Sequence, residues 1–107
     1  EIFGRQGNEH GAATTYHQLG SLADLQSDYV RSGKWLLRSI EGFHNTNDQR
    51  LLQQGVHSYI VIAHRASEDE RATLRKMWVD AGRSGSLLDD ALTNLKSEID
   101  SAKTDSQ

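Results

Sequence analysis

The sequence predicts an all-α fold of about five helices joined by short turns, with consecutive helices antiparallel. Three observations indicate this class. The 107 residues include nine glycines and no proline, so the residue that commonly marks loops and sheet corners is absent. Apolar residues recur at three- and four-residue steps, which is the period of a half-buried helix. The breaks between these stretches are about three to five residues long, and such short connections join antiparallel neighbours.

Each predicted helix has an apolar face and an identifiable start or end. The first helix stops at the polar break Ser27-Asp28. The fourth and fifth open with capping boxes, Ser67 with Glu70 and Ser86 with Asp89, whose side chains satisfy the free amides of a helix start. In chain order the apolar faces are formed by Ala12, Tyr16, Leu19, Leu22 and Ala23; by Val30, Leu36, Leu37, Ile40 and Phe43; by Leu52, Val56, Tyr59, Ile60 and Ala63; by Ala72, Leu74, Met77, Trp78 and Ala81; and by Leu88, Ala91, Leu92, Leu95 and Ile99.

The two halves of the chain resemble each other when the sequence is shifted by forty residues. This register aligns His17 with His57 and Ala23 with Ala63. It also superimposes the polar breaks that follow these positions. Because one shift aligns helix faces and turns together, we interpret the chain as a diverged internal repeat of two helix pairs.

The segment 13–29 carries residue types at the spacing of a known repeat family. Tyr16 stands at the first aromatic position, Leu19-Gly20 at a Leu-Gly pair, Ala23 at the next small core position and Asp28-Tyr29 at the turn. On these residues the segment resembles the tetratricopeptide repeat, most closely the long-period repeats of bacterial multidomain regulators. The resemblance implies a right-handed solenoid of antiparallel helix pairs with a C-terminal capping helix. It also implies that Gly20 lies where two helices cross closely.

The resemblance divides the single domain 1–107 into units. Residues 9–46 form the first repeat and residues 47–82 the second, in which Tyr59-Ile60 replaces the Leu-Gly pair. This departure suggests a terminal repeat, which no longer receives a neighbour on its outer face. The remaining segments are assigned to the end of a preceding helix at 1–8, the capping helix at 86–102 and a frayed tail at 103–107.

Composition and spacing argue against a catalytic, metal or cofactor site. The chain has no cysteine and no Gly-x-Ser-x-Gly nucleophile motif. His57 and His64 are seven residues apart, whereas two metal ligands on one helix are usually three or four apart. A net charge of −3 and an isoelectric point near 5.9 make nucleic acid an unlikely main partner. No apolar run approaches the ~20 residues of a membrane span. We therefore expect no enzyme activity, cofactor, bound metal or membrane insertion.

The resemblance further implies a concave groove lined by the first helix of each pair. Its wall would be polar and close to neutral, which suits an extended peptide or a partner helix. Chaperone-binding members of the family carry a Lys/Asn clamp at the positions held here by His17, Ser21, His57 and Val61, so an acidic chaperone tail is not the expected partner. The predicted groove residues are Thr14, His17, Gln18, Ser21, Asp24, Gln54, His57, Ser58, Val61, His64 and Arg65.

We predict a non-enzymatic protein-interaction module, cytoplasmic and part of a larger bacterial regulatory or signalling protein, that binds a peptide or helix in this groove. Ile2 and Phe3 would lie at an open N-terminal edge through which copies of the chain could self-associate. Two alternatives remain open: a compact helical bundle that serves as a nucleic-acid-binding accessory, and a fragment of an enzyme whose catalytic domain lies upstream. The basic residues that favour the nucleic-acid alternative are Arg65, Arg71, Arg75, Lys76 and Arg83.

Overall fold

Five α-helices follow one another in the computed structural model, which describes the backbone of residues 2–105 and the side chains of residues 7–102. They are α1 (Ile2–Leu25), α2 (Tyr29–Asn45), α3 (Gln49–Arg65), α4 (Glu68–Asp80) and α5 (Gly85–Asp105). The described backbone contains no strand, so the predicted all-α class is confirmed. Within this part of the chain, no helix combines the length and the apolar character needed to cross a membrane.

The first two turns share one local structure. Ser27 and Asn47 adopt left-handed φ values of 59° and 58°, and an aspartate follows each of them. The carboxylates of Asp28 and Asp48 each accept a hydrogen bond from the amide three residues further on, at 3.3 and 3.0 Å. The left-handed residue therefore ends one helix, and the aspartate caps the start of the next.

The predicted capping box at the start of α4 is confirmed. The Glu70 amide donates to the Ser67 hydroxyl at 3.2 Å, and the Ser67 amide donates to the Glu70 carboxylate at 2.9 Å. The hydrogen bond from the Ser67 amide, assisted by the Ser67 hydroxyl, lowers the pKa of Glu70 below its ordinary value. The local pattern was sufficient here because all four groups belong to residues within one helical turn.

The predicted capping box at the start of α5 is wrong. The helix begins at Gly85, and Ser84 rather than Ser86 accepts the hydrogen bond from the Leu87 amide, at 3.3 Å. Asp89 does not reach back to its own helix start. It forms an ion pair with Arg75 of α4, with 3.0 Å between Oδ1 and Nε. The Asp89 carboxylate, which the sequence pattern assigned to the cap of α5, therefore pairs with a residue of another helix.

The boundary predicted between residues 8 and 9 is also wrong. Residues 2–8 continue into residues 9–25 as one helix, without the turn that a preceding, separate helix would require. In the described backbone, left-handed residues occur only at Ser27, Asn47 and Gly82, so none interrupts α1. The expected packing of Ile2 and Phe3 lies outside the described side chains. Of the tail expected to fray, residues 103–105 continue α5, and residues 106 and 107 lie outside the described backbone.

The central helix of the fold is α2, against which α1, α3 and α4 all pack. Small residues on α2 allow this. A Cβ atom added at Gly42 would lie 2.6 Å from the Cβ of Ala13 on α1, and one added at Gly33 would collide with Leu74 of α4. Two apolar clusters form around α2, one of Ala13, Ile40, Phe43 and Leu52 and one of Leu36, Tyr59, Ile62, Ala63, Ala66, Leu74, Trp78 and Leu88.

Gly20 lies at the crossing of α1 and α2, as predicted. The residue is buried, and a Cβ atom added there would lie 3.0 Å from Cγ and Cδ2 of Leu36 and 3.3 Å from the Ser32 carbonyl oxygen. Even a single Cβ would require Leu36 to move by a few tenths of an ångström, and a larger side chain would push the two helix axes apart. The close crossing is confirmed by these contacts, while the handedness and repeat type of the helix array stay predictions.

The last helix, α5, packs against α3 and α4. It contributes Leu88 to the core, where only 1% of this residue is exposed, whereas its neighbour Leu87 is 65% exposed. The Trp78 indole of α4 donates to the Ser84 carbonyl at 2.8 Å and so holds the turn before α5 in place. The helix α5 therefore covers apolar side chains of α3 and α4, and its role as the capping helix of a repeat array stays a prediction.

Candidate functional site

A cleft of about 260 Å³ opens between the C-terminal ends of α1 and α3, above the first half of α2. The α1 side consists of Gly20, Ser21 and Asp24. Ser32 and Leu36 of α2 form the floor. The α3 side consists of His57, Ser58, Val61, Ile62 and Arg65. The cleft thus has polar rims and an apolar base.

An ion pair links α1 and α3 at this cleft. The Arg65 Nη1 atom lies 3.3 and 3.4 Å from the two carboxylate oxygens of Asp24. Both side chains remain partly exposed, at 56% for Arg65 and 26% for Asp24, so water screens their attraction. The pair contributes little to stability, but it places a cation and an anion at defined positions beside the apolar base.

Six of the predicted groove residues line this cleft: Ser21, Asp24, His57, Ser58, Val61 and Arg65. On each helix these residues follow one another at steps of about one turn and so share a face. The two faces come together because α1 and α3 both pack against α2. The sequence reasoning missed the contribution of α2. A signal was present, since Ser32-Gly33 is a pair of small residues on an otherwise bulky helix face, which is typical of a close helix contact.

Four other predicted groove residues lie outside this cleft, on the earlier turns of α1 and α3. Thr14, Gln18 and Gln54 are exposed, and the Thr14 hydroxyl donates to the His10 carbonyl of its own helix at 3.1 Å. His17 is half-buried, and its Nε2 atom is shielded from solvent without a hydrogen-bond partner. The cleft is therefore shorter than the predicted wall, because it covers only the last turns of the two helices.

His64 lies apart from the cleft as well. It lines a separate pocket of about 290 Å³ together with Arg71 of α4 and residues of α5. The seven-residue spacing from His57 suggested one continuous face, but α5 packs against the end of α3 and separates this histidine from the others. His57 and His64 consequently belong to different surfaces.

A larger groove of about 750 Å³ lies on the other side of α2, against the turn between α4 and α5. Its charged residues have both signs: Arg38, Glu41, Asp80 and Arg83. The Arg83 guanidinium lies 5.1 Å from the centre of the Trp78 ring, and burial lowers the pKa of this arginine. The apolar part of the lining includes Leu37, Ile40, Trp78, Ala81 and Leu87.

An aromatic stack joins α1 and α2 beside this larger groove. The rings of Tyr16 and Trp35 stack with centroids 5.6 Å apart, and the Arg38 guanidinium lies 5.2 Å from the Trp35 ring centre. Trp78, in contrast, is 97% buried and packs against Tyr59 in the core. Both tryptophans therefore pack between helices.

Most of the basic residues that favoured the nucleic-acid alternative are engaged within the fold. Arg65 pairs with Asp24, and Arg75 pairs with Asp89. Arg71 donates three hydrogen bonds to carbonyl oxygens at the end of α3, so among the described residues only its Nη1 atom is left without a hydrogen bond. A surface that binds nucleic acid through phosphates needs clustered cations that are free to contact them. These contacts weaken the nucleic-acid alternative.

The titratable groups with shifted pKa values serve the fold rather than a shared site. A hydrogen bond from His10 lowers the pKa of Asp48, the N-cap of α3. Burial raises the pKa of Tyr59, whose hydroxyl donates to the Leu74 carbonyl. Among the described residues, no three histidine, aspartate or glutamate side chains converge into a group that could hold a metal ion.

No protein-family model, curated protein or solved structure matches this chain. The resemblance to the tetratricopeptide repeat therefore rests on the residues of segment 13–29 alone.

Proposed function

We propose that this chain is a non-enzymatic protein-interaction module of the helical-repeat type, and that the cleft between α1 and α3 binds an extended segment of a partner protein. The observation that carries this proposal is the meeting of polar residues from two non-adjacent helices over an apolar floor. The proposal includes the expected setting, a larger bacterial regulatory or signalling protein in the cytoplasm.

The size of the cleft favours an extended peptide over a helix. A helix with its side chains is about 10 to 12 Å wide, and a cleft of about 260 Å³ holds only a few side chains. Val61 is partly exposed and, above the buried side chains of Leu36 and Ile62, offers apolar surface to one peptide side chain. The hydroxyl of Ser58 and the ring of His57 can hydrogen-bond to the peptide backbone.

The ion pair at the cleft should favour one orientation of the bound peptide. Asp24 attracts a basic group and Arg65 attracts an acidic one, and the two side chains project from opposite walls. Because the charged groups of Asp24 and Arg65 lie 3.3 Å apart, a peptide that carries neighbouring acidic and basic groups can contact both at this one point of the cleft. Electrostatic complementarity of this kind contributes more to specificity than to affinity.

The proposal can be tested with a peptide library displayed on phage and selected against the intact 107-residue chain. Peptides that emerge are then titrated against Val61→Glu, which puts a charge beside the apolar base. We expect affinity to fall at least about tenfold, because a charged group would have to be desolvated there. Gln54→Glu adds the same charge on an exposed position of α3 outside the cleft.

The control variant should bind selected peptides within about twofold of the parent chain, and circular dichroism should show that both variants remain helical. Equal binding to the parent and to Val61→Glu would contradict the proposal. It would direct attention to the larger groove between α2 and the turn before α5.

A further inference from the structure

The pocket that contains His64 is built from three helices. His64 belongs to the last turn of α3, Arg71 to α4, and Leu92, Thr93 and Lys96 to α5. Its volume is about 290 Å³. The side chains of Arg71 and Lys96 are cationic at neutral pH, and the imidazole of His64 can donate a hydrogen bond. Cationic and donor groups therefore face one space from three different directions.

The guanidinium group of Arg71 is held in a fixed orientation. Its Nε atom donates to the Ala63 carbonyl at 2.9 Å, and its Nη2 atom donates to the carbonyls of His64 and Ala66 at 3.1 Å each. These bonds use the Nε and Nη2 atoms of the planar group. Arginine keeps its positive charge in this arrangement, and the Nη1 atom has no hydrogen bond to any described residue. The N–H groups of Nη1 thus stay available to a ligand. Binding would cost little side-chain entropy, because the other bonds already fix the guanidinium group.

The carboxylates closest in sequence to the α5 residues of this pocket do not line it. No aspartate or glutamate of the described residues belongs to its wall. Asp89, one turn before Thr93, is paired with Arg75. Asp100, one turn after Lys96, takes part in an interaction of its own. The chain has a net charge of −3, whereas this pocket is lined only by cationic and neutral side chains. Its local charge is therefore opposite in sign to that of the whole chain.

We propose that this pocket binds a phosphate group, either as a free ion or on a phosphorylated side chain of a partner. A phosphate monoester carries a charge of about −1.5 to −2 at neutral pH and has three acceptor oxygens. Arg71, Lys96 and His64 can supply donors to it from three sides, whereas a carboxylate would use only two oxygens. The site is separate from the cleft between α1 and α3 and does not depend on the function proposed for that cleft.

The test is an NMR titration of the isotope-labelled chain with inorganic phosphate at constant ionic strength, with sodium chloride as the reference salt. We expect saturable shifts for the amides around Thr93 and Lys96 and for the His64 ring. Lys96→Gln should weaken binding about fivefold or more, because it removes one charged donor. Lys96→Arg should restore much of the affinity.

The matched control is Lys76→Gln, which removes the same charge from an exposed position of α4 outside the pocket. Its affinity for phosphate should stay within about twofold of the parent. Shifts that do not saturate, or equal weakening by Lys76→Gln and Lys96→Gln, would overturn the proposal, since both indicate general ionic attraction. A phosphoserine tripeptide separates the two sources: tighter binding than inorganic phosphate assigns the site to a phosphorylated partner, and equal binding assigns it to the free ion.

Discussion

The Ser32 hydroxyl donates a 2.7 Å hydrogen bond to the Gly20 carbonyl oxygen, which joins the backbone of α1 to a buried side chain of α2. The bond forms because Gly20 has no side chain to hold the two helices apart. Ser32 is fully buried, and the same crossing supplies the floor and one wall of the proposed binding cleft. The geometry of this cleft consequently depends on two small residues.

The substitution Gly20→Leu should destabilise the chain by about 2 to 4 kcal/mol through overpacking and a shift of the backbone. The added carbon atoms would meet Leu36 and the Ser32 carbonyl. Urea unfolding followed by circular dichroism measures this change. Gly11→Leu is the matched control, because a Cβ atom there meets nothing within 4 Å. If both variants were equally stable, Gly20 would not lie at a tight crossing.

Two buried serines of α2 should respond in opposite ways to replacement by alanine. Ser32→Ala removes the hydrogen bond to Gly20 and should cost about 1 kcal/mol. The hydroxyl of Ser39 is equally buried and has no hydrogen-bond partner among the described residues, so Ser39→Ala should be neutral or stabilise the chain by up to about 1 kcal/mol. Parallel urea titrations provide the comparison. A marked loss of stability in Ser39→Ala would indicate a partner for that hydroxyl.

The contact between His10 and Asp48 should make stability depend on acid pH. The hydrogen bond from His10 Nε2, at 2.9 Å, lowers the pKa of Asp48 in the folded chain below its ordinary value of 3.8. A carboxylate with a depressed folded pKa contributes stability that is present above its unfolded pKa and lost as the pH falls through its folded value. The advantage of the parent chain over Asp48→Asn should therefore be present above about pH 4 and disappear at lower pH.

The measurement for Asp48 is urea unfolding at a series of pH values from about 2 to 6. Asp28→Asn is the control, because Asp28 caps α2 in the same way without a histidine contact among the described residues. Its difference from the parent should show less dependence on pH than that of Asp48→Asn. A pH-independent difference for Asp48→Asn would show that the contact with His10 has no electrostatic part.

The packing of α5 against α3 and α4 should be stabilised by Leu88 and not by its neighbour Leu87. Leu88→Ala leaves a cavity against α3 and α4 and should cost about 2 to 4 kcal/mol, whereas Leu87→Ala at the exposed position should change stability by less than about 0.5 kcal/mol. Thermal and urea unfolding of the two variants provide the test. Equal effects would mean that α5 does not cover the core through Leu88.

Local features of the sequence determined the helices themselves. Apolar periodicity predicted five of them, the Ser67 and Glu70 pair predicted the start of α4, and the small residue at Gly20 predicted a helix crossing. Each of these depends on groups within a turn or two of one another, or on a position that tolerates no side chain, and such constraints are visible in the chain itself.

Tertiary structure alone decided where the surface residues meet. The sequence could not show that Asp89 would leave its own helix start for Arg75, or that α5 would separate His64 from His57. It also could not show that α2 would form the floor of the cleft and shorten it to the last turns of α1 and α3. These outcomes depend on how whole helices cross, and a crossing is set by the combined packing of many side chains that are distant in sequence.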